Sequence, residues 1–165
     1  MSISVRLSEF RMTVDLHSLD QDLQLDHVWE KLVDWKGQSE WMIQTKVWSD
    51  STDFSQERGL GVQVFAFTGL RAQKYPASKI LARCGILDQM VVTTWQPPTL
   101  CEVDHVGSVI KGRGVFRLEK IESGVRFHWF EEIKAPWPIL LVIRPAILIG
   151  VFLSLRRFGR FVSAR

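Results

Sequence analysis

The chain has 165 residues, 46% of them apolar and 24% charged, which is enough to bury a core without metals or crosslinks and too apolar for a chain dominated by disorder. Its net charge of +3 draws partly on a terminal cluster, Arg156, Arg157, Arg160 and Arg165. Elsewhere Lys and Arg are mixed with Asp and Glu, so no basic stripe marks nucleic acid as a partner. Two cysteines, Cys84 and Cys101, without CxxC or Cys/His spacing, give no zinc site and read as reduced buried thiols on neighbouring strands.

The opening "MSISVRLSEF" lacks an apolar signal core and a cleavage site, so nothing directs secretion and a cytoplasmic location is expected. Residues 9–17 alternate, with Phe10, Met12, Val14 and Leu16 on one side, the period of a half-buried strand. The period then changes: Leu25, Val28, Trp29, Leu32 and Val33 follow helical spacing, with Asp26 as N-cap and Gly37 as the stop. A second short helical piece is expected in "GQSEWM". From residue 43 to about 134 the pattern is strand and turn: 43–50, 62–69, 86–95, 100–109, 111–121 and 125–133. Short connections make the last of these an antiparallel meander.

The stretch from Trp137 to Leu155 is almost wholly apolar and of roughly spanning length. Arg144 at its centre costs only about 3 kcal/mol on an insertion scale, so hydropathy alone leaves a membrane span open. Three features favour a core helix. Pro145 suits a first helical position, predicting a helix over 145–163. In its second half Val151, Leu155, Phe158 and Val162 recur at helical spacing opposite Arg156, Arg160 and Ser163. The sheet also needs one long apolar element to cover a face. The expected architecture is α+β and one domain over residues 1–165: seven curved antiparallel strands wrapped around a long C-terminal helix, with two short helices after the first strand.

The stretches "DHVWEKLVDWKGQSEWM", "LDQMVVTTWQPPTLCEVDHVGSVIKGRGVF", "FHWFEEI" and "SLRRFGRFV" together resemble the START-like helix-grip superfamily (SRPBCC), in particular its polyketide cyclase/dehydrase-type branch. Trp29, Asp34, Trp41, Gly107, Gly112 and Gly114 carry the likeness, and these are fold-determining positions. The resemblance implies a cavity between sheet and terminal helix that takes lipids, sterols, polyketides or aromatic compounds. It does not by itself imply catalysis, since that superfamily mixes carriers, sensors and enzymes. The segment "SLDQDLQL" is longer than the family pattern needs, and the terminal helix is more apolar, which leaves room for a homodimer or a membrane-surface contact.

Strand alternation selects the candidate residues. Cys101, Val103, His105, Gly107 and Val109 share one side, so His105 points inward. Val125, Phe127, Trp129, Glu131 and Ile133 share a face, so Glu131 points inward while His128 and Glu132 face out. His105 and Glu131 are the candidates for proton transfer. Asp88 is a further candidate, on the side of Met90, Val92 and Thr94, although the register of Leu87, Val91 and Trp95 is nearly as apolar. Gly112 and Gly114 fall inward with Phe116 and Leu118, leaving room for a bend or a ligand, and Arg113 faces outward. Asp88, Met90, Trp129, Phe127, Phe116, Trp41, Leu148 and Phe152 are the expected ligand-binding set. The plain alternatives are that His105 is a satisfied core residue, that Glu131 pairs with an Arg, and that the tryptophans simply pack. The sequence supports three functions: binding of a hydrophobic small molecule, a cyclase/dehydrase-type enzyme acting through His105 and Glu131, and docking on a membrane surface through the terminal helix. No metal or other cofactor is expected.

Overall fold

The computed structural model describes residues 2–5, 9–17, 23–51, 57–75, 85–134 and 137–163, with the backbone alone for 2–5, 137–140, 142 and 143. Cys84 and Arg165 lie outside it. The chain runs β1 (Ser2–Val5), β2 (Glu9–Leu16), α1 (Leu25–Leu32), α2 (Trp35–Trp41), β3 (Thr45–Ser49), β4 (Gln63–Gly69), β5 (Gly85–Gln96), β6 (Leu100–His105), β7 (Lys111–Ile121), β8 (Gly124–Lys134) and α3 (Trp137–Ser163). The strands form one curved antiparallel sheet in the order β1-β2-β8-β7-β6-β5-β4-β3. All seven expected strands are present, and β1 adds an eighth by pairing Ser2–Val5 with β2 at the edge.

Helix α1 buries Val28, Trp29 and Leu32, the stripe that its spacing predicts. Its limits differ from the sequence reading. Gln24, not Asp26, is the N-cap, and the helix ends before Gly37. Gly37 instead lies in the first turn of α2, where its N–H donates to Asp34 Oδ1 at 3.0 Å. A Cβ at Gly37 would stand within 2.3 Å of Asp34 Oδ2, so glycine here makes space for a capping carboxylate rather than stopping a helix.

Helix α3 also starts earlier than Pro145, at Trp137, with Pro145 inside it. The missing proline N–H deprives only the carbonyl four residues back, at Leu141. Both Pro145 and Leu141 are exposed, so water can serve that carbonyl and the helix continues through. Its second half meets the expectation: Val151, Leu155, Phe158 and Val162 are buried, while Arg156 and Arg160 are exposed. Phe158 packs on Trp41 at 4.6 Å and on Phe127 at 5.7 Å between ring centroids.

Polar ties fix this half of the helix. Ser154 Oγ accepts from Ile43 N at 3.0 Å, His27 Nε2 donates to Val162 O at 3.2 Å, and Ser163 Oγ donates to His17 O at 2.8 Å. No helix among the described residues is long and apolar enough to cross a membrane.

Candidate functional site

The register places four candidates at one end of the concave face, where β5 begins, β6 ends, β7 begins and β8 ends. His105, the last residue of β6, pairs with Met90 of β5 and Gly112 of β7. Gly114 pairs with both Val103 and Glu131. Glu131 is therefore one strand beyond His105, and its carboxylate has to pass over β7 to reach it. Gly114 leaves the passage open: a Cβ there would lie 3.0 Å from Glu131 Oε1 and 3.1 Å from Oε2. The inward glycine is filled by a protein carboxylate.

The result is a hydrogen-bonded row. His105 Nδ1–H donates to Asp88 Oδ2 at 2.7 Å and Nε2–H donates to Glu131 Oε2 at 2.9 Å. Trp129 Nε1–H donates to Glu131 Oε1 at 2.7 Å. His105 and Glu131 are each 8% exposed, whereas Asp88 keeps somewhat more of its side chain open. Two carboxylates facing both ring nitrogens require two protons between them, which an imidazolium supplies. Burial by itself would lower the His105 pKa, but the charge of Glu131, the hydrogen bonds to Asp88 and Glu131 and the charge of Asp88 outweigh it and raise it to about 10. Neither carboxylate pairs with a Lys or Arg among the described residues, so the expected alternative for Glu131, an arginine partner, is replaced by His105.

Asp88 takes the Met90 and Val92 side, and a bulge is the reason that both registers are apolar. Pairing shifts between Val92 and Thr94, so Val92 faces Val103 while Trp95 faces Cys101. One extra residue carries the strand from one inward set to the other. Thr94 is thereby turned to the outer face, where its hydroxyl donates to Glu102 Oε2 at 2.9 Å. Arg113 also faces outward, as expected, and pairs with the same oxygen at 2.6 Å. His128 faces outward as well, 3.1 Å from Thr13 Oγ1. Val109 departs from the sequence reading: β6 stops at His105, and Val109 sits exposed in the following loop.

The aromatic candidates join behind the polar row. Trp129 packs edge-on to Phe116 at 5.1 Å and to Trp41 at 6.3 Å, and Phe116 meets Phe127 at 5.7 Å. Met90 and Leu148 are half-buried against this core. Phe152 is half-buried, with the Arg156 guanidinium 5.8 Å from its ring centre. Cys101 is a buried free thiol whose pKa burial pushes up to about 12, which makes it inert.

Three buried polar atoms among the described residues lack a hydrogen-bond partner: Trp41 Nε1, Ser49 Oγ and Asp88 Oδ1. The sequence carried no sign of the Trp129–Glu131 bond. The inward placement of Gly114 was the one available signal that something bulky crosses β7.

The row can hold a proton at a defined place inside an otherwise apolar face. With both N–H groups engaged, His105 can release a proton outward only when a bound molecule takes over one of its acceptors.

No protein-family model matches the chain, and no curated protein matches it. Solved structures do. The chain is similar to a protein from Arthrobacter aurescens, with 12% identity over 98% of this chain and 91% of that one and a TM-score of 0.69. It is similar to protein Ms6760 from Mycobacterium smegmatis, with 11% identity over 100% and 98% of the two chains and a TM-score of 0.67. It is also similar to the di-domain ARO/CYC StfQ from the steffimycin biosynthetic pathway, with 9% identity, a TM-score of 0.62, and coverage of 94% of this chain and 50% of that one. At these identities the likeness is one of fold: the chain has the helix-grip architecture, a curved antiparallel sheet closed by a long C-terminal helix.

Proposed function

We propose that this chain binds a hydrophobic small molecule, of lipid, polyketide or aromatic type, between the concave sheet and the first half of α3. The carrying observation is a part-open apolar surface beside the polar row. Ala66, Met90 and Ile133 are only half-buried beside Asp88, His105 and Glu131, whereas Val92, Leu118 and Phe127 farther along the same face are sealed. Apolar side chains that remain part-open beside a few convergent polar groups are what a small-molecule site requires. The helix-grip fold supports the same reading.

Native mass spectrometry of freshly purified protein tests it. The expected result is a bound species of small-molecule mass that is lost on denaturation. A bare polypeptide mass that no lipid or polycyclic aromatic added in excess alters would count against it.

The hydrogen-bonded row favours a second reading, a cyclase/dehydrase-type enzyme in which His105 delivers a proton to a bound carbonyl and Glu131 orients the ring. The structural likeness to StfQ, described as an ARO/CYC protein, is consistent with that chemistry. A buried ion pair is poor evidence for a purely stabilising role, because desolvation offsets much of its attraction. His105→Ala separates the readings: intact affinity with lost turnover of a candidate substrate favours the enzyme, and unchanged turnover removes His105 from it.

A membrane-surface contact or a homodimer through α3 is the third reading. It rests on exposed Leu141, Ile149 and Leu153, which recur along one side of the helix ahead of exposed Arg156 and Arg160. Recovery of the protein with sedimented anionic vesicles tests it.

A further inference from the structure

We infer that the molecule bound beside His105 carries a neutral hydroxyl that donates to Asp88 Oδ1, and that molecules headed by a carboxylate are rejected. This rests on the hydrophobic-ligand reading above and narrows it to a chemical class. Asp88 Oδ2 is taken by His105 at 2.7 Å, while Oδ1 is buried and has no donor among the described residues. A buried carboxylate oxygen without a donor is rare enough in folded proteins to require a partner from elsewhere. Of the three orphaned atoms, this one belongs to the polar row, on the half-buried end of the concave face.

The missing partner is a donor by chemistry, since an ionised carboxylate only accepts. Two carboxylates flank a single histidine, and among the described residues no Lys or Arg pairs with either of them. With one imidazolium already shared by two carboxylates, the row itself has no positive charge left for a third carboxylate brought in by a ligand. An ammonium group would be attracted but would have to shed its hydration among the apolar side chains around the row. A hydroxyl on an apolar frame satisfies Oδ1 at the least cost.

The test uses three probes of one shape, naphthalene, 2-naphthol and 2-naphthoate, measured by titration calorimetry on the intact chain at neutral pH. The expected result is that 2-naphthol binds at least about tenfold tighter than either of the others, the effect of one hydrogen bond to a charged acceptor. Asp88→Asn, which keeps an acceptor and removes the charge, narrows the naphthol-to-naphthoate gap by at least about threefold. Naphthalene binding as tightly as 2-naphthol, or 2-naphthoate binding tightest, overturns the inference while leaving the hydrophobic-ligand reading in place. No binding by any of the three overturns that reading and this inference with it.

Discussion

Gly114 and Glu131 face one another across β7 and β8, and the carboxylate occupies the space that a side chain at Gly114 would fill. That one absence connects β8 to β6, because Glu131 reaches His105 only over β7. A glycine within a strand weakens it, and here the weakness lets the proton-holding row form.

Gly114→Ala is therefore expected to do more than crowd the strand. The new methyl would lie 3.0 Å from Glu131 Oε1 and from Val103 Cγ2, so one of them has to move. The expected loss of stability is about 1–3 kcal/mol, the usual range for overpacking. The His105–Glu131 hydrogen bond is lengthened or broken. Denaturant unfolding gives the first quantity, and the imidazole N–H resonances of His105 report the second. An alanine variant as stable as the parent, with those resonances unmoved, contradicts the role given to Gly114.

His105 gives a pH dependence of definite sign. Its pKa is raised from an ordinary 6.5 to about 10 in the folded protein, so the folded state holds a proton that the unfolded chain releases. That contribution is fully present below about pH 6.5 and is lost as pH rises toward 10, because stability falls with pH where the folded state binds more protons. The expected loss between pH 6 and 9.5 is at least about 2 kcal/mol. Cys101, raised to about 12 from 9.0, adds a second loss only above pH 9. His105→Gln should abolish the first slope and keep the second. Parallel pH profiles for the parent and the variant would show that His105 is not held as an imidazolium.

The grip of α3 on the sheet is expected to reside in its second half. Phe158 is fully buried against Trp41 and Phe127, so Phe158→Ala should cost about 3–5 kcal/mol. Ile149 is 61% exposed, and Ile149→Ala should change stability by less than about 0.5 kcal/mol. Equal effects of the two substitutions on the denaturant midpoint would mean that the helix is not seated as described.

The strands themselves and the amphipathic half of α3 are legible because periodicity is a local signal: Phe127, Trp129 and Glu131 alternate cleanly with His128 and Phe130. Sequence and structure part where a single residue acts through its neighbours. Gly37 reads as a helix stop until Asp34 is seen to need its space. Pro145 reads as a helix start because the sequence does not show that the carbonyl it deprives is on an exposed turn. The bulge after Val92 makes two registers correct in succession, which a strict period of two cannot represent. The site was half legible. Inward His105 and Glu131 follow from alternation, but their distances to Asp88 and Trp129 depend on sheet curvature and on the passage over Gly114.

The most direct measurement is an NMR titration of the intact chain with 2-naphthol, followed at the indole and imidazole N–H groups. Trp129, bonded to Glu131 at 2.7 Å, and His105 should shift together and saturably. Trp29, packed on Trp95 at 5.1 Å toward the opposite end of the sheet, should stay in place. A saturable shift confined to Trp48, which stacks on Phe65 and on Tyr75 away from the polar row, or no saturable shift at any indole, would contradict a ligand held between the sheet and α3.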